Sequence, residues 1–331
     1  MDLFTHALLP YLAGNFFKRK KAEVTALVLG GIAPDFDIFI LWINSVYPNF
    51  FLTTHRGITH SLFFGFFTGV LVMYLAARKK DLIKRVLKLE PEIRFTSSAF
   101  VFMYLGVLIH LFLDYITTRG VTLFYPLDAK RWAAELFFFT DTYLTIFSLA
   151  AVILLYRTKP ITHELTARKI MVLFFAVFVV LGGMRYAEKS EAQASYADAD
   201  AFPTMNMFRW YALSEDDNSI RVHEYNGWNK TTLYSAEFNR TRIVFPGNAP
   251  PFEDALVQAE KLPQVKMFYW RAYATAINAS YKDAWVIEFY DPIQKVQRRD
   301  VPAVFRRAFG GFGSLTVKVE NEKAAVIEAP S

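Results

Sequence analysis

The sequence predicts a two-part fold: an α-helical membrane bundle of about six spans, the first short, followed by a small α+β domain outside the membrane. Three observations lead there. Hydrophobic residues make up 53% of the 331 residues, with 33 Phe and a positive mean hydropathy. Apolar runs of spanning length recur up to residue 187. From residue 188 the runs shorten to strand length and turn residues separate them. The expected domains are therefore a transmembrane part, 1–187, and a soluble α+β part, 188–331.

Residues 3–17 form a short apolar segment containing His6 and Pro10. At ~1.5 Å per residue it reaches only about 22 Å, marginal for a crossing. Residues 22–46 are long enough, but Ala33-Pro34-Asp35-Phe36-Asp37 interrupts them. Pro34 removes a backbone donor and clashes with the preceding turn, so the helix should break there. Further spans are expected over 58–77, 97–117, 136–156 and 169–187. The fourth ends in His110 and Asp114, and Asp141 stands near the start of the fifth.

Charge assigns the sides. Residues 1–187 hold 20 Lys+Arg against 12 Asp+Glu, whereas 188–331 hold 17 against 19. The basic excess lies in loops of the apolar half, which points to topology and lipid contact rather than nucleic acid. Loops 18–21, 78–95 and 157–169 carry 15 Lys+Arg; the opposite set carries five. The positive-inside rule puts the first set in the cytoplasm and the C-terminal domain outside. The chain has no Cys, which excludes disulfides and thiolate metal sites and directs any metal to His, Asp, Glu and water.

Glu188 to Ala201 reads as a linker. Beyond it, strands are expected over Ile220–Tyr225, Arg242–Phe245, Val265–Tyr273, Ala284–Tyr290 and Leu315–Val319, with turns at Asn226-Gly227, Pro246-Gly247-Asn248 and Asp291-Pro292. Residues 251–262 read as a helix, and the sheet as mainly antiparallel. Asn-X-Ser/Thr triplets at Asn229, Asn239 and Asn278 fit an extracytoplasmic face.

The stretch Thr54-His55-Arg56-Gly57-Ile58-Thr59-His60-Ser61 packs two imidazoles, a guanidinium and three hydroxyls between two apolar runs. On this topology His6, Asp35, Asp37, His55, His60, His110 and Asp114 fall at similar depth on one side. His110 and Asp114, four apart, share a helix face. The break at Pro34 lets Asp35 and Asp37 turn inward together, since non-helical backbone is tolerated where it lines a polar cavity. A central Asp in a span costs ~2.5–3.5 kcal/mol on insertion scales unless paired or held by a cation. A divalent metal supplies that compensation. Four His and three Asp exceed one tetrahedral zinc site, so two ions sharing carboxylates are the preferred reading, with one ion as the simpler case. Zinc is preferred; manganese and iron suit the same donors.

These residues resemble a known family. His6, the Pro34-Asp35-Phe36-Asp37 turn, His55-Arg56-Gly57-x-Thr59-His60-Ser61 and His110-x3-Asp114 look like the signature of the YdjM-type (LexA-binding, inner-membrane-associated) metal-dependent hydrolases. The resemblance covers about residues 1–150 and implies an integral membrane protein and, by the family's naming, a hydrolase.

Within this reading the seven His and Asp residues are metal ligands. Asp37 is the expected general base towards a metal-activated water. Arg56 is expected to hold a phosphate oxygen, with Arg119 the second choice. Asp141 either supports the site or caps its helix. His163 and His223 stand apart, and Ser61 has no triad partner distinct from the ligands. The expected reaction is hydrolysis of an ester or phosphoester in a membrane lipid or lipid-linked substrate. A non-enzymatic metal-binding scaffold or transporter is the alternative.

Overall fold

A computed structural model describes residues 1–47, 49–50, 52–87, 91–158, 160–245, 247–300 and 313–328. Lys88 and Lys159 of the charge count, and Pro246 of the turn expected at 246–248, lie outside them. The chain divides into two compact units, Met1–Val46 with Leu52–Tyr186, and Tyr47–Phe51 with Ala187–Ser331.

The first unit is helical: α1 (Leu3–Phe16), α2 (Lys21–Ile32), α3 (Trp42–Val46), α4 (Leu62–Arg78), α5 (Lys80–Leu87), α6 (Ser97–Tyr115), α7 (Thr142–Arg157) and the part of α8 (Pro160–Ala194) up to Tyr186. Two 3-10 turns, Pro34–Phe39 and Ile58–His60, carry polar residues between helices. The expectation of about six spans does not hold. Among the described residues two helices are long and apolar enough to cross a membrane, Ser97–Tyr115 and Thr162–Ala194; Leu62–Arg78 and Thr142–Arg157 are shorter.

The reason is local. The runs at 22–46, 58–77, 97–117 and 136–156 are longer than the helices they make, because polar residues at their ends are drawn into turns and caps. The second run stops helically at Ile32, ahead of Pro34, which leaves 12 residues, about 18 Å against a hydrocarbon core of ~30 Å. The third begins only at Leu62, because Ile58–His60 is 3-10 and the Ser61 hydroxyl caps the helix at Phe64 N. The fifth begins at Thr142, where Asp141 accepts from Tyr143 N and Leu144 N, both 3.1 Å.

Small residues set the closest packing. A Cβ on Gly30 of α2 would lie 1.8 Å from the Met103 carbonyl of α6, and one on Gly106 of α6 would lie 2.1 Å from the Leu27 carbonyl of α2. Only glycine lets these two backbones meet, as at small-residue helix crossings in membranes. Ala26, Met73, Ala99, Met103, Val107 and Leu111 fill the interior around that crossing.

The second unit holds two sheets rather than one. Strands β1 (Ala199–Pro203), β2 (Arg209–Glu215), β3 (Ser219–Asn226) and β4 (Thr231–Asn239) form an antiparallel meander. Strands β5 (Thr241–Val244), β6 (Ala276–Tyr281), β7 (Trp285–Tyr290), β8 (Ser314–Glu320) and β9 (Lys323–Glu328) form the other, antiparallel except for the parallel β5–β6 pair. Helices α9 (Phe252–Glu260), α10 (Pro263–Arg271) and α11 (Pro292–Asp300) complete the unit. Alternation puts Ile287 and Phe289 of β7 and Leu315 and Val317 of β8 on the buried face, where Phe252, Ala255 and Ala259 of α9 cover them.

Two local expectations are corrected here. Val265–Tyr273 is not a strand: Pro263 opens a helix, and Val265 and Phe268, three apart, bury one face. Glu188–Ala201 is not a linker: α8 continues to Ala194, β1 starts at Ala199, and Ala192 packs with Ala201, Trp210 and Tyr225.

Candidate metal centre

The first unit brings all seven expected ligands together. Three groups each present ligand atoms within 4.8 Å of one another: His6, His110 and Asp114; Asp35, His60 and His110; Asp37, His55 and His60. His110 and His60 are shared, so the groups form one continuous cluster. Five elements build it: α1 (His6), the turn after α2 (Asp35, Asp37), the loop before α4 (His55), the second 3-10 turn (His60), and α6 (His110, Asp114).

The middle of the cluster is the most regular. His60 Nε2 lies 3.2 Å from His110 Nε2, 3.5 Å from Asp35 Oδ1 and 3.4 Å from Asp114 Oδ2. His110 Nε2 lies 3.6 Å from Asp35 Oδ1 and 3.5 Å from Asp114 Oδ2. Four ligands ~2.0–2.1 Å from a tetrahedral ion stand about 3.3–3.4 Å apart. The separations among His60, His110 and Asp35 match the edges of such a cage, and Asp114 Oδ2 stands at the same range from both imidazoles, although Asp35 and Asp114 fall in different ligand groups.

The surroundings prepare the donors. The His110 Nδ1–H donates to the Gly31 carbonyl at 2.6 Å, which leaves Nε2 with its lone pair towards the cage. That bond exists because Gly30 and Gly106 bring α2 against α6. His6 stacks on His110 with ring centroids 3.7 Å apart; it is fully buried, its Nε2 lies 3.3 Å from Asp114 Oδ1, and its Nδ1 lacks a hydrogen-bond partner. Buried polar atoms are rarely left so, and a cation on His6 is the chemistry its position suits.

Asp37 is tied differently. Its carboxylate oxygens lie 3.1 Å from His55 Nδ1, and Oδ2 accepts the Arg56 backbone N–H at 3.1 Å. Thr59 Oγ1 lies 3.5 Å from the same oxygen and 3.0 Å from His60 Nδ1. The cluster is closed on most sides: His6, His60 and His110 are 0% exposed, and Asp37 and Asp114 1%. Asp35 at 19% and His55 at 39% mark the open side.

Electrostatics follow from this crowding. Burial works against the charged form of His60, but hydrogen bonds to Asp114 and Asp35, with the charges of Asp37 and Asp114, push its pKa up to about 9. For Asp35 burial pulls upward, yet the imidazoles of His110, His60 and His6 hold the carboxyl well below the usual range.

Arg56 sits differently from its expected role. Its side chain is buried, with Nη1 donating to Thr117 Oγ1 and the Thr118 carbonyl, both at 2.9 Å, and Nη2 to Asp114 Oδ1 at 2.6 Å. The guanidinium lies 4.3 Å from the Phe139 ring centroid. These contacts face inward and hold Asp114, which also contacts the Met1 amino group. Arg119 donates its backbone N–H to Glu135 at 2.9 Å. Asp141 caps α7 and pairs with Arg185 at 2.6 Å, both buried, so it belongs to a separate ion pair. Ser61 is occupied as a helix cap, His163 meets Tyr11, and His223 stacks on Tyr196.

Sequence reasoning missed Thr117, Thr118, Phe139 and the Gly31 carbonyl, none of which carries a ligand-type side chain. Arg185 did carry a signal: a lone cation in the apolar run 169–187 needs a carboxylate, and Asp141 begins a neighbouring run.

Comparison with known proteins agrees with the first unit. Inner membrane protein YbcI of Escherichia coli (strain K12) is 26% identical over 187 residues, which is 54% of this chain and 94% of YbcI. No solved structure matches. The model of the YdjM inner membrane protein family matches residues 1–189, more than half of the chain and all seven clustered residues. On this match the chain belongs to the YdjM inner membrane protein family.

Proposed function

We propose that the chain is a membrane-localised, metal-dependent hydrolase of an ester or phosphoester, with a lipid or lipid-linked substrate. The observation that carries the reading is the set of five donor separations of 3.2–3.6 Å among His60, His110, Asp35 and Asp114. In this reading those four hold one divalent cation, zinc first among the choices, and His6 lies beside them as a further donor. A bound cation supplies Lewis acidity towards an ester or phosphoryl oxygen and lowers the pKa of water.

The chain's own residues supply the rest. His55 stands on the open side with Nδ1 against the Asp37 carboxylate, an imidazole oriented by an acid. Its Nε2 takes the proton from attacking water, and Asp37 steadies the imidazolium that results. Arg56 holds the Asp114 carboxylate in place through its Nη2. The same burial gives the alternative its footing. A cluster closed on most sides suits a structural ion, and then the protein is a non-enzymatic metal-binding scaffold.

Elemental analysis of the purified protein, followed by hydrolysis assays with added Zn²⁺ or Mn²⁺ on phospholipid and phosphodiester panels, separates the two. Turnover lost in His55→Ala with metal content retained supports the hydrolase. Full metal content with no turnover on any member of the panels favours the scaffold. Absence of bound metal under all loading conditions removes both.

A further inference from the structure

A crevice of about 530 Å³ runs between α1, α2 and α6, away from the charged cluster. Its walls are apolar: Leu9 and Ala13 of α1, Leu27 of α2, and Leu105, Ile109 and Phe112 of α6. One charged side chain lines it, Arg19, whose guanidinium lies over the Phe102 ring at 5.3 Å from the centroid.

Arg19 belongs to the run Lys18-Arg19-Lys20-Lys21, exposed throughout, in the turn between α1 and α2. The turn is ordered by its own backbone: Lys18 has φ 51°, and Arg19 N donates to the Gly14 carbonyl at 2.9 Å. Arg19 is thereby held at one end of an apolar slot, with Lys18, Lys20 and Lys21 flanking it in the chain. From Phe102 to Phe112 the slot follows α6, a helix of spanning length, for ten residues, ~15 Å of rise or about half the ~30 Å hydrocarbon core. The slot is thus one leaflet deep, greasy along its length and positive at its mouth. Those dimensions and that polarity match one acyl chain with its phosphate above it.

We infer that this crevice is a binding site for an anionic phospholipid, with an acyl chain between α1 and α6 and the phosphate on the Lys18–Lys21 cluster. The inference does not rest on the metal centre or on any hydrolytic activity. Juxtamembrane basic clusters attract anionic headgroups, and basic pockets between helices hold them. The apolar slot adds depth to a contact that charge alone would leave on the surface.

The test titrates the full chain in detergent micelles with fluorescently labelled phosphatidylglycerol and phosphatidylcholine. Phosphatidylglycerol should bind more tightly, saturating at one per chain. Lys18→Gln with Arg19→Gln, both exposed positions, should weaken it about tenfold or more while leaving phosphatidylcholine nearly unchanged. Leu105→Trp should weaken both lipids by filling the slot; Leu105 is 42% exposed, so the larger ring fits without repacking the interior. Metal content and melting temperature, unchanged in both variants, report intact folding; Ala13→Phe stands in if Leu105→Trp alters either. Equal affinity for the two lipids in the parent chain overturns the inference. So does an undiminished phosphatidylglycerol affinity in the slot-filling variants, which would reduce the effect to surface attraction. Self-association that no lipid competes with would assign the slot to a second copy and overturn it as well.

Discussion

Arg56 decides the charge balance of the cluster. It adopts φ 62°, a backbone region that costs an ordinary residue energy, and its guanidinium is sealed against Asp114, Thr117, Thr118 and Phe139. Removing it leaves the buried Asp114 carboxylate with only the Met1 amino group and the imidazoles of His6, His60 and His110 against it. Arg56→Gln should therefore destabilise the protein by about 3–5 kcal/mol, the range for breaking a buried pair. Arg56→Lys should not rescue it, because an ammonium cannot reach two acceptors and a carboxylate through one planar fork. Thermal melts of the two variants check both statements. His60 gives the pH dependence. Its pKa in the metal-free protein is raised from 6.5 to about 9. The stabilisation its proton brings is complete below about pH 6.5 and is lost as pH rises through about 9. Metal binding needs the neutral ring, so uptake should run the other way. Apparent affinity should rise with pH, about tenfold per unit below 9 for this one proton, until the proton is gone. Metal titrations from pH 6 to 9 measure it, and a flat profile would show that His60 is not a ligand.

At the scale of elements, the meeting of α2 with α6 positions the cage. Gly106→Ala would set a methyl 2.1 Å from the Leu27 carbonyl, a backbone atom that cannot rotate away. We expect a loss of about 3 kcal/mol or more from overpacking. Reduced metal content should follow, because the Gly31 carbonyl then withdraws from His110. Gly183→Ala on α8, with nothing within 4 Å of the added carbon, is the control and should be silent on metal content. The sequence shows the need for proximity only indirectly. Pro34 announced the break that frees Asp35 and Asp37, because proline acts on its own helix and needs no neighbour to do so. Gly30 and Gly106 announced nothing, since their effect depends on which helix lies opposite. The same distinction explains Val265–Tyr273. Its aromatic and β-branched residues suit a strand, and what made it helical was the sheet face available to Val265 and Phe268.

For the whole molecule, the cluster was legible because seven ionisable residues in apolar surroundings must be compensated, and only convergence does that cheaply. The number of spans was not, because hydropathy sees an apolar run and not the turn that shortens it at either end. Nor was the second sheet: β5 is exposed along its whole length and carries no buried face to mark which sheet it joins. The division into two units leads to a test of where the metal acts. The clustered ligands all belong to the first unit. Trp210 and Trp285, buried at 0% and 3% exposure, sit in separate cores of the second. A ligand that binds only folded protein raises stability by RT ln(1 + [L]/Kd), about 2.7 kcal/mol at a hundredfold excess over Kd. Chelation should therefore lower the melting transition of the helical unit, followed by far-ultraviolet circular dichroism. The near-ultraviolet and fluorescence signal of the second unit's tryptophans should keep its own midpoint. If both signals fall together by the same amount, the two units unfold as one and the metal stabilises the whole chain.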